Sequence, residues 1–265
     1  MTMRIGIGGW TYEPWRGTFY PDKWPQKREL EYAAGKLTAI EVNGTYYSGF
    51  KPAIFASWRD QVPGDFVFAL KASRYCTNRK VLADAGESVE RFVGQGIVEL
   101  GDKLGPILWQ FMATKKFDAT DFAAFLALLP AAKDGIALRH AVQVRHESFA
   151  VPEFVAMCRA AGVAIVYAHS DDYPAIADVT GEVVYARIET AVEDEKYGYS
   201  DAQLDRWASA AATWQAGGQP DGLPYVGPDA DDSASIAKKR DVFLFFISGA
   251  KVRNPAAAQA LLARI

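Results

Sequence analysis

Short β-rich runs alternate with helix-spaced segments along nearly the whole chain. Apolar, β-branched runs bounded by turn residues predict strands at Arg4–Gly8, Ala39–Asn43, Phe66–Lys71, Ile107–Phe111, Ala141–Arg145, Ala164–Ala168, Val183–Ile188 and Val242–Ile247. Apolar positions recurring every three or four residues predict helices at Arg28–Lys36, Ala53–Gln61, Ser88–Leu104, Asp121–Leu129, Pro152–Ala161, Asp201–Ala216 and Pro255–Arg264. The last opens on proline, whose missing N–H costs nothing in a first helical turn. Strand and helix in regular alternation predict an α/β fold, a single parallel (β/α)₈ barrel of the TIM type, over an open doubly wound sheet. The expected domain covers 1–265. Ser170–Thr180 is too short and too interrupted by proline for a full helix, and 217–235, rich in Gly, Pro and Asp, reads as a surface-loop excursion within that domain.

Polar residues break the apolar pattern at one end of these strands. In Ala141–Phe149 the alternation puts Gln143 and Arg145 on the face where apolar residues are expected. The other strands end similarly, in Glu41 and Asn43, Lys71, Gln110, Arg187 and Glu189. Buried charges are costly unless paired or used, and a barrel of this type gathers its functional groups at the C-terminal strand ends. Trp10, His146, His169, Ser170 and Ser248 fall at equivalent positions. The pattern predicts one shared site.

Composition narrows the partners. Half of the 265 residues are hydrophobic and 23% are charged, enough for a large core. A formal net charge of −3 gives no global reason to bind nucleic acid or an anionic membrane, although Arg74, Arg79 and Lys80 form a local basic patch. The two cysteines, Cys76 and Cys158, make neither a disulfide framework nor a CxxC pair, which fits a reduced, cytoplasmic setting. No signal-peptide pattern opens the chain, and no apolar run approaches the roughly 18 residues of a membrane span.

Several side chains carry candidate chemistry. Converging cations would bind an anionic or phosphorylated small molecule through Arg145, Arg187 and Lys71. Glu41 is the leading general acid/base candidate, His146 the second, and Lys71 a candidate amine or proton shuttle if burial depresses its pKa. A lysine so placed more often binds an anion or pairs with a carboxylate such as Glu41. Asn43, Gln110 and Gln143 would orient a ligand, with Trp10 and Glu189 completing its contacts. The aromatic loop from Trp10 to Trp24 either stacks on a planar ligand or caps the barrel mouth. With Arg74–Lys80 it supports an alternative, nucleic-acid binding. Gly6-Ile7-Gly8-Gly9 is not a dinucleotide fingerprint, and no cofactor is implied. Three histidines are too few for a trinuclear zinc site, and one metal on His146, His169 and Glu189 or Asp171 is the residual metal reading.

Three segments in order resemble the domain-of-unknown-function 72 family (DUF72, YecE-like). They are Ile7-Gly8-Gly9-Trp10-Thr11-Tyr12-Glu13-Pro14-Trp15-Arg16-Gly17-Thr18-Phe19-Tyr20-Pro21, Glu41-Val42-Asn43-Gly44-Thr45-Tyr46-Tyr47 and Leu104-Gly105-Pro106-Ile107-Leu108-Trp109-Gln110. The resemblance runs from Arg4 to the C-terminus and implies a TIM-type barrel of unestablished activity, with a distant fold likeness to DNA-repair endonucleases. The chain departs from the family pattern at Gln143, where glutamate is usual, and at Asn78, where histidine is common. Glu189-Thr190 replaces a usual His-Gly, His169 a common aspartate, and Phe246-Ile247-Ser248-Gly249 a stretch with Asp/Asn-Asn-Asp. These departures motivate a further reading, a binding-only paralogue that has lost its chemistry.

Overall fold

The computed structural model describes residues 2–227 and 238–265. The strands are β1 (Met3–Gly8), β2 (Ala39–Val42), β3 (Val67–Lys71), β4 (Leu104–Gln110), β5 (Ala132–Lys133), β6 (Ile136–Ala137), β7 (His140–Gln143), β8 (Ala164–His169), β9 (Val183–Ile188) and β10 (Asp241–Phe246). Eight of them pair in parallel around a closed barrel in the order β1-β10-β9-β8-β7-β4-β3-β2, and β1 closes it against β2. The expected α/β TIM-type barrel is the observed fold. The two-residue strands β5 and β6 form a small antiparallel ladder outside it. Asp134 and Gly135 join them at φ 48° and 81°, the positive angles that a tight hairpin turn demands and that an Asp-Gly pair supplies.

Two differences from the expected elements have local causes. The expected helix Ser88–Leu104 is divided into a helix at Gly86–Val93 and short 3₁₀ turns within Ile97–Lys103, themselves broken at Gly101 (φ 55°). Gly96 between them sits at φ 104°, which a right-handed helix cannot contain. Leu104 therefore begins β4, and Pro106 falls opposite the register break between Phe68 and Leu70, where its missing N–H is tolerated. The strand expected at Ala141–Arg145 ends at Gln143, which leaves Arg145 beyond the ladder. Among the described residues, 170–182 form no helix, as expected. The part of 217–235 that is described, 217–227, is tied down by Asp178, whose carboxylate accepts from the N–H groups of Val226 and Gly227 at 2.7 and 2.9 Å. Residues 228–235 lie outside the described residues.

Alternation along the strands sorts the apolar residues into two cores. Ala39, Ala69, Ala141 and Ala164 face the larger Tyr185, Phe243 and Phe245 inside the barrel. Ile5, Ile40, Phe68, Trp109, Val142, Tyr167 and Leu244 point outward, where they pack under the helices. Small residues on one wall admit large ones from the other, so the interior is filled. The helix Asp201–Ala216 is delimited by a capping box between Ser200 and Gln203 and by Gly217 at φ 96°.

Gly6 is the tightest point of this closure. A Cβ there would lie 2.0 Å from the carbonyl oxygen of Ala39 on the neighbouring strand. Because the clash is with backbone, Gly6→Ala is expected to destabilise the fold by more than ~3 kcal/mol. Urea unfolding checks this, and a loss below ~1 kcal/mol would mean that β1 and β2 can separate without harm.

Candidate functional site

The barrel interior turns polar at its C-terminal end. On β9 the period of two places Val183, Tyr185 and Arg187 on the inner face, with Glu189 following just beyond the strand. Arg187 is 3% exposed, and its guanidinium is met on three sides. Nε donates to Glu41 Oε2 at 3.1 Å and Nη2 to Glu41 Oε1 at 3.3 Å, while Nη1 donates to Glu189 Oε1 at 2.7 Å and to Gln143 Oε1 at 2.6 Å. Tyr185 donates its hydroxyl to Glu41 Oε2 at 2.7 Å, and Gln110 its amide to Gln143 Oε1 at 2.6 Å. Burial would by itself lower the Arg187 pKa, but Glu41 and Glu189 hold it above the ordinary value. Burial and the Glu41 carboxylate keep Tyr185 protonated.

Above this network opens a cleft of about 740 Å³. Gly9, at φ 74°, turns the chain out of β1 and carries Trp10 onto the rim, where its ring meets Trp58 edge-on at 5.3 Å. Val42, Phe50, Trp58 and Ile247 make one wall apolar. Four cationic side chains, Lys71, Arg145, Arg187 and Lys251, line the cleft, and among the described residues no carboxylate does.

Arg187 alone of these four is ion-paired within the described residues. The Lys71 ammonium lies 4.3 Å from the centre of the Tyr46 ring, and burial, with help from Arg187 and Arg145, pushes its pKa down to about 8 against the pull of Glu41 and Glu189. Arg145 lies 4.2 Å over the Tyr173 ring with Nε buried and unpartnered. Lys251 stands 4.5 Å from the Tyr12 ring, and burial lowers its pKa too. Asn254, also at the cleft, is 1% exposed and its Oδ1 has no partner.

The residues singled out in the sequence fall into three groups. Trp10, Asn43, Lys71, Arg145, Arg187 and Ser248 line the cleft. Glu41, Gln110, Gln143 and Glu189 lie behind it, tied to Arg187 directly or through one another. His146, His169 and Ser170 lie outside. The His146 ring caps the turn Glu147–Phe149 by accepting from the Ser148 N–H at 3.1 Å. His169 packs edge-on against Trp207 at 4.8 Å, and Ser170 accepts from the Asp172 N–H. Among the described residues no three His, Cys, Asp or Glu side chains gather to hold a metal. The expected pairing of Lys71 with Glu41 is not made, because Arg187 and Tyr185 occupy both Glu41 oxygens. Most of the aromatic loop packs inward, with Trp15 and Tyr20 fully buried. In the basic patch Arg79 turns onto its own loop, bonding the Asp84 carbonyl and Ser88.

Sequence reasoning missed Lys251, Asn254, Tyr46 and Tyr173. Tyr185 was missed as well, although sharing a strand face with Arg187 could have marked it. Nothing in the pattern marks Lys251 or Asn254, which follow the turn after β10, where Ser248 adopts φ 62°.

The sequence profile of the family described as "Protein of unknown function DUF72" matches residues 4–265. The chain belongs to the DUF72 family. A DUF72 protein of Thermotoga maritima shares the fold at TM-score 0.73 and 20% identity, aligned over 99% of this chain and 98% of its own. One from Enterococcus faecalis V583 aligns over 99% and 96% at TM-score 0.67 and 17% identity. SacUVDE aligns over 98% and 97% at TM-score 0.52 and 12% identity, a likeness of fold alone. Comparison with curated proteins gives no match. Gln143 and Glu189, two of the positions singled out in the sequence, meet at one guanidinium. The Gln143 amide nitrogen approaches Glu189 Oε1 at 3.5 Å, and both side chains accept from Arg187.

Two stability predictions follow from these charges. Glu41→Gln removes half of a buried pair and is expected to destabilise the protein by about 3 kcal/mol in urea unfolding. Lys71 has the opposite sign. Its folded pKa is below the unfolded value, so the folded state binds fewer protons and stability rises with pH between about 8 and 10.5. Lys71→Met is therefore expected to stabilise the protein at pH 7 by roughly 1–3 kcal/mol, a gain that shrinks toward pH 10.

Proposed function

We propose that the chain is one barrel domain whose mouth binds a small organic anion, phosphorylated or carboxylated. The observation that carries this reading is the cleft lining, in which Lys71, Arg145 and Lys251 have no ion-pair partner among the described residues. Unpaired cations in a partly desolvated site are unfavourable by themselves, and a bound anion relieves them. In a chain of net charge −3, their concentration in one cleft is specific to that place. Trp10 and the apolar wall would cover the organic part of the ligand, and Asn43 and Asn254 would meet its polar groups.

In this reading Glu41, Gln110, Gln143, Glu189 and Arg187 form the frame that holds the strand ends. Arg187 presents one edge to the ligand, Glu41 is a positioning residue, and Lys71 is the leading proton-transfer group. His146, occupied by its own turn, has a structural role. A reducing, cytoplasmic setting belongs to the same reading, supported by Cys76 and Cys158, both free and buried. Among the described residues no helix is long and apolar enough to cross a membrane.

Nucleic acid is the second reading, favoured by Tyr47 and Tyr75, which are 64% and 61% exposed, and by Arg74 lying over the Tyr75 ring. One experiment separates the two. Phosphate, pyrophosphate, phosphoglycerate and a single-stranded oligonucleotide are titrated while the unfolding temperature is followed. A small anion at a hundred times its dissociation constant should stabilise the protein by about 2.7 kcal/mol, and Arg145→Ala should lose most of this. A full shift in Arg145→Ala, or none with any small anion, overturns the proposal. Binding of the oligonucleotide alone, falling steeply with salt, would favour the second reading.

A further inference from the structure

A buried lysine at a barrel mouth needs a reason for lacking a carboxylate. Lys71 ends β3 with its side chain only 9% exposed, yet it lines the cleft. No hydrogen bond or ion pair reaches its nitrogen from the described residues, and Glu41, the carboxylate that acts on it most strongly, is committed to Arg187 and Tyr185. What does touch the amine is the Tyr46 ring, fixed in turn because the Asn78 amide donates to the Tyr46 hydroxyl at 3.0 Å. The amine is thus held in place by an aromatic face, which can neither take its proton nor block its lone pair. Burial, helped by Arg187 and Arg145, acts against the ammonium form and lowers its pKa to about 8, so the neutral amine is accessible near that pH. An ordinary exposed lysine is neutral to well under about 1% at that pH.

We propose that Lys71 is a Schiff-base lysine for a small oxo compound whose phosphate or carboxylate is held by Arg145 and Lys251 in the same cleft. This rests on the anion-binding reading above. The neutral Nζ attacks the carbonyl carbon, the C=O π electrons move to oxygen, and a proton passes from nitrogen to that oxygen to give a carbinolamine. A proton taken up from solvent then carries the hydroxyl off as water, and the nitrogen lone pair forms the C=N bond of the protonated imine. No oxidant or reductant is involved. The imine carries the same charge as the ammonium it replaces, while the ligand's anionic group offsets Arg145 and Lys251. Asn254 Oδ1, buried and without a partner at the cleft, is an acceptor suited to the carbinolamine hydroxyl or to a ligand hydroxyl. A cleft of about 740 Å³ accommodates such a compound whole.

The test is reductive trapping. The protein is incubated with dihydroxyacetone phosphate, pyruvate or uncharged dihydroxyacetone in the presence of cyanoborohydride, and peptides are mapped by mass. The expected result is one adduct on the peptide carrying Lys71, formed at least tenfold faster with one of the anionic compounds than with dihydroxyacetone. Whether the phosphate or the carboxylate compound reacts identifies the anion. Trapping should rise about tenfold from pH 7 to pH 9 and level off, where a surface lysine would rise about a hundredfold over the same range. Lys71→Arg should abolish the adduct, and Arg145→Ala should remove the preference for anionic compounds. Adducts spread evenly over surface lysines, or an unmodified Lys71 in a protein that small anions still stabilise, overturn the Schiff-base assignment alone. Absence of any anion-induced stabilisation overturns the anion reading on which it rests.

Discussion

A guanidinium that cannot lose its proton is buried at the mouth of this barrel, and the arrangement around it follows from that. Arg187 is 3% exposed, so every donor it turns inward needs an acceptor. Those acceptors come from the ends of other strands: Glu41 from β2, Gln143 from β7 and Glu189 from the end of β9 itself. Gln110 on β4 reaches the same oxygen of Gln143, and Tyr185 shares Glu41. The network therefore pins separate strands at the end where the cleft opens. It also uses up the nearby carboxylates. Lys71 and Arg145 make no ion pair among the described residues and are left facing the cleft, each against an aromatic ring.

The same constraint gives structural work to residues that depart from the expected DUF72 pattern. Gln143 in place of glutamate loses a charge but keeps an amide oxygen that accepts two hydrogen bonds. Glu189, standing where the pattern usually has histidine, returns a carboxylate to the other side of the same guanidinium. Asn78, where histidine is common, retains a hydrogen-bonding hold on Tyr46. These substitutions alter the frame and leave the cleft lining cationic.

The aromatic loop serves this site from outside. Trp15 donates its indole N–H to the Lys251 carbonyl at 2.9 Å, and Tyr12 and Trp15 both face the Lys251 ammonium. Burying these rings places Lys251 over the mouth, and Tyr20 bonds the Trp10 carbonyl, which steadies the rim. Packing and ligand binding are therefore two consequences of one loop, because rings that fill the space between loops also decide which polar tips can reach the cleft.

The order of strands and helices, the barrel, and the end of it that carries polar residues were legible in the chain, because period-two and helical spacing are local properties. The break at Gly96 and the Asp134-Gly135 turn were not anticipated: helical spacing predicts one helix across Gly96, because the apolar spacing persists through the break. Which cation meets which carboxylate was not. Arg145 and Arg187 look equivalent as polar residues near strand ends, yet one stands on the strand's inner face and the other just past the last ladder pair. That difference of a residue or two decides that Arg187 takes Glu41 and Arg145 takes none. His146 likewise stands beside Arg145 in the sequence, but the chain turns there and the ring caps its own turn. Lys251 and Asn254 join the site only because closing β10 against β1 brings the following turn over the mouth. Sequence determined that polar groups gather at one end of the barrel, because strand alternation is local; the closure of the barrel decided which of them join the site and which satisfy one another.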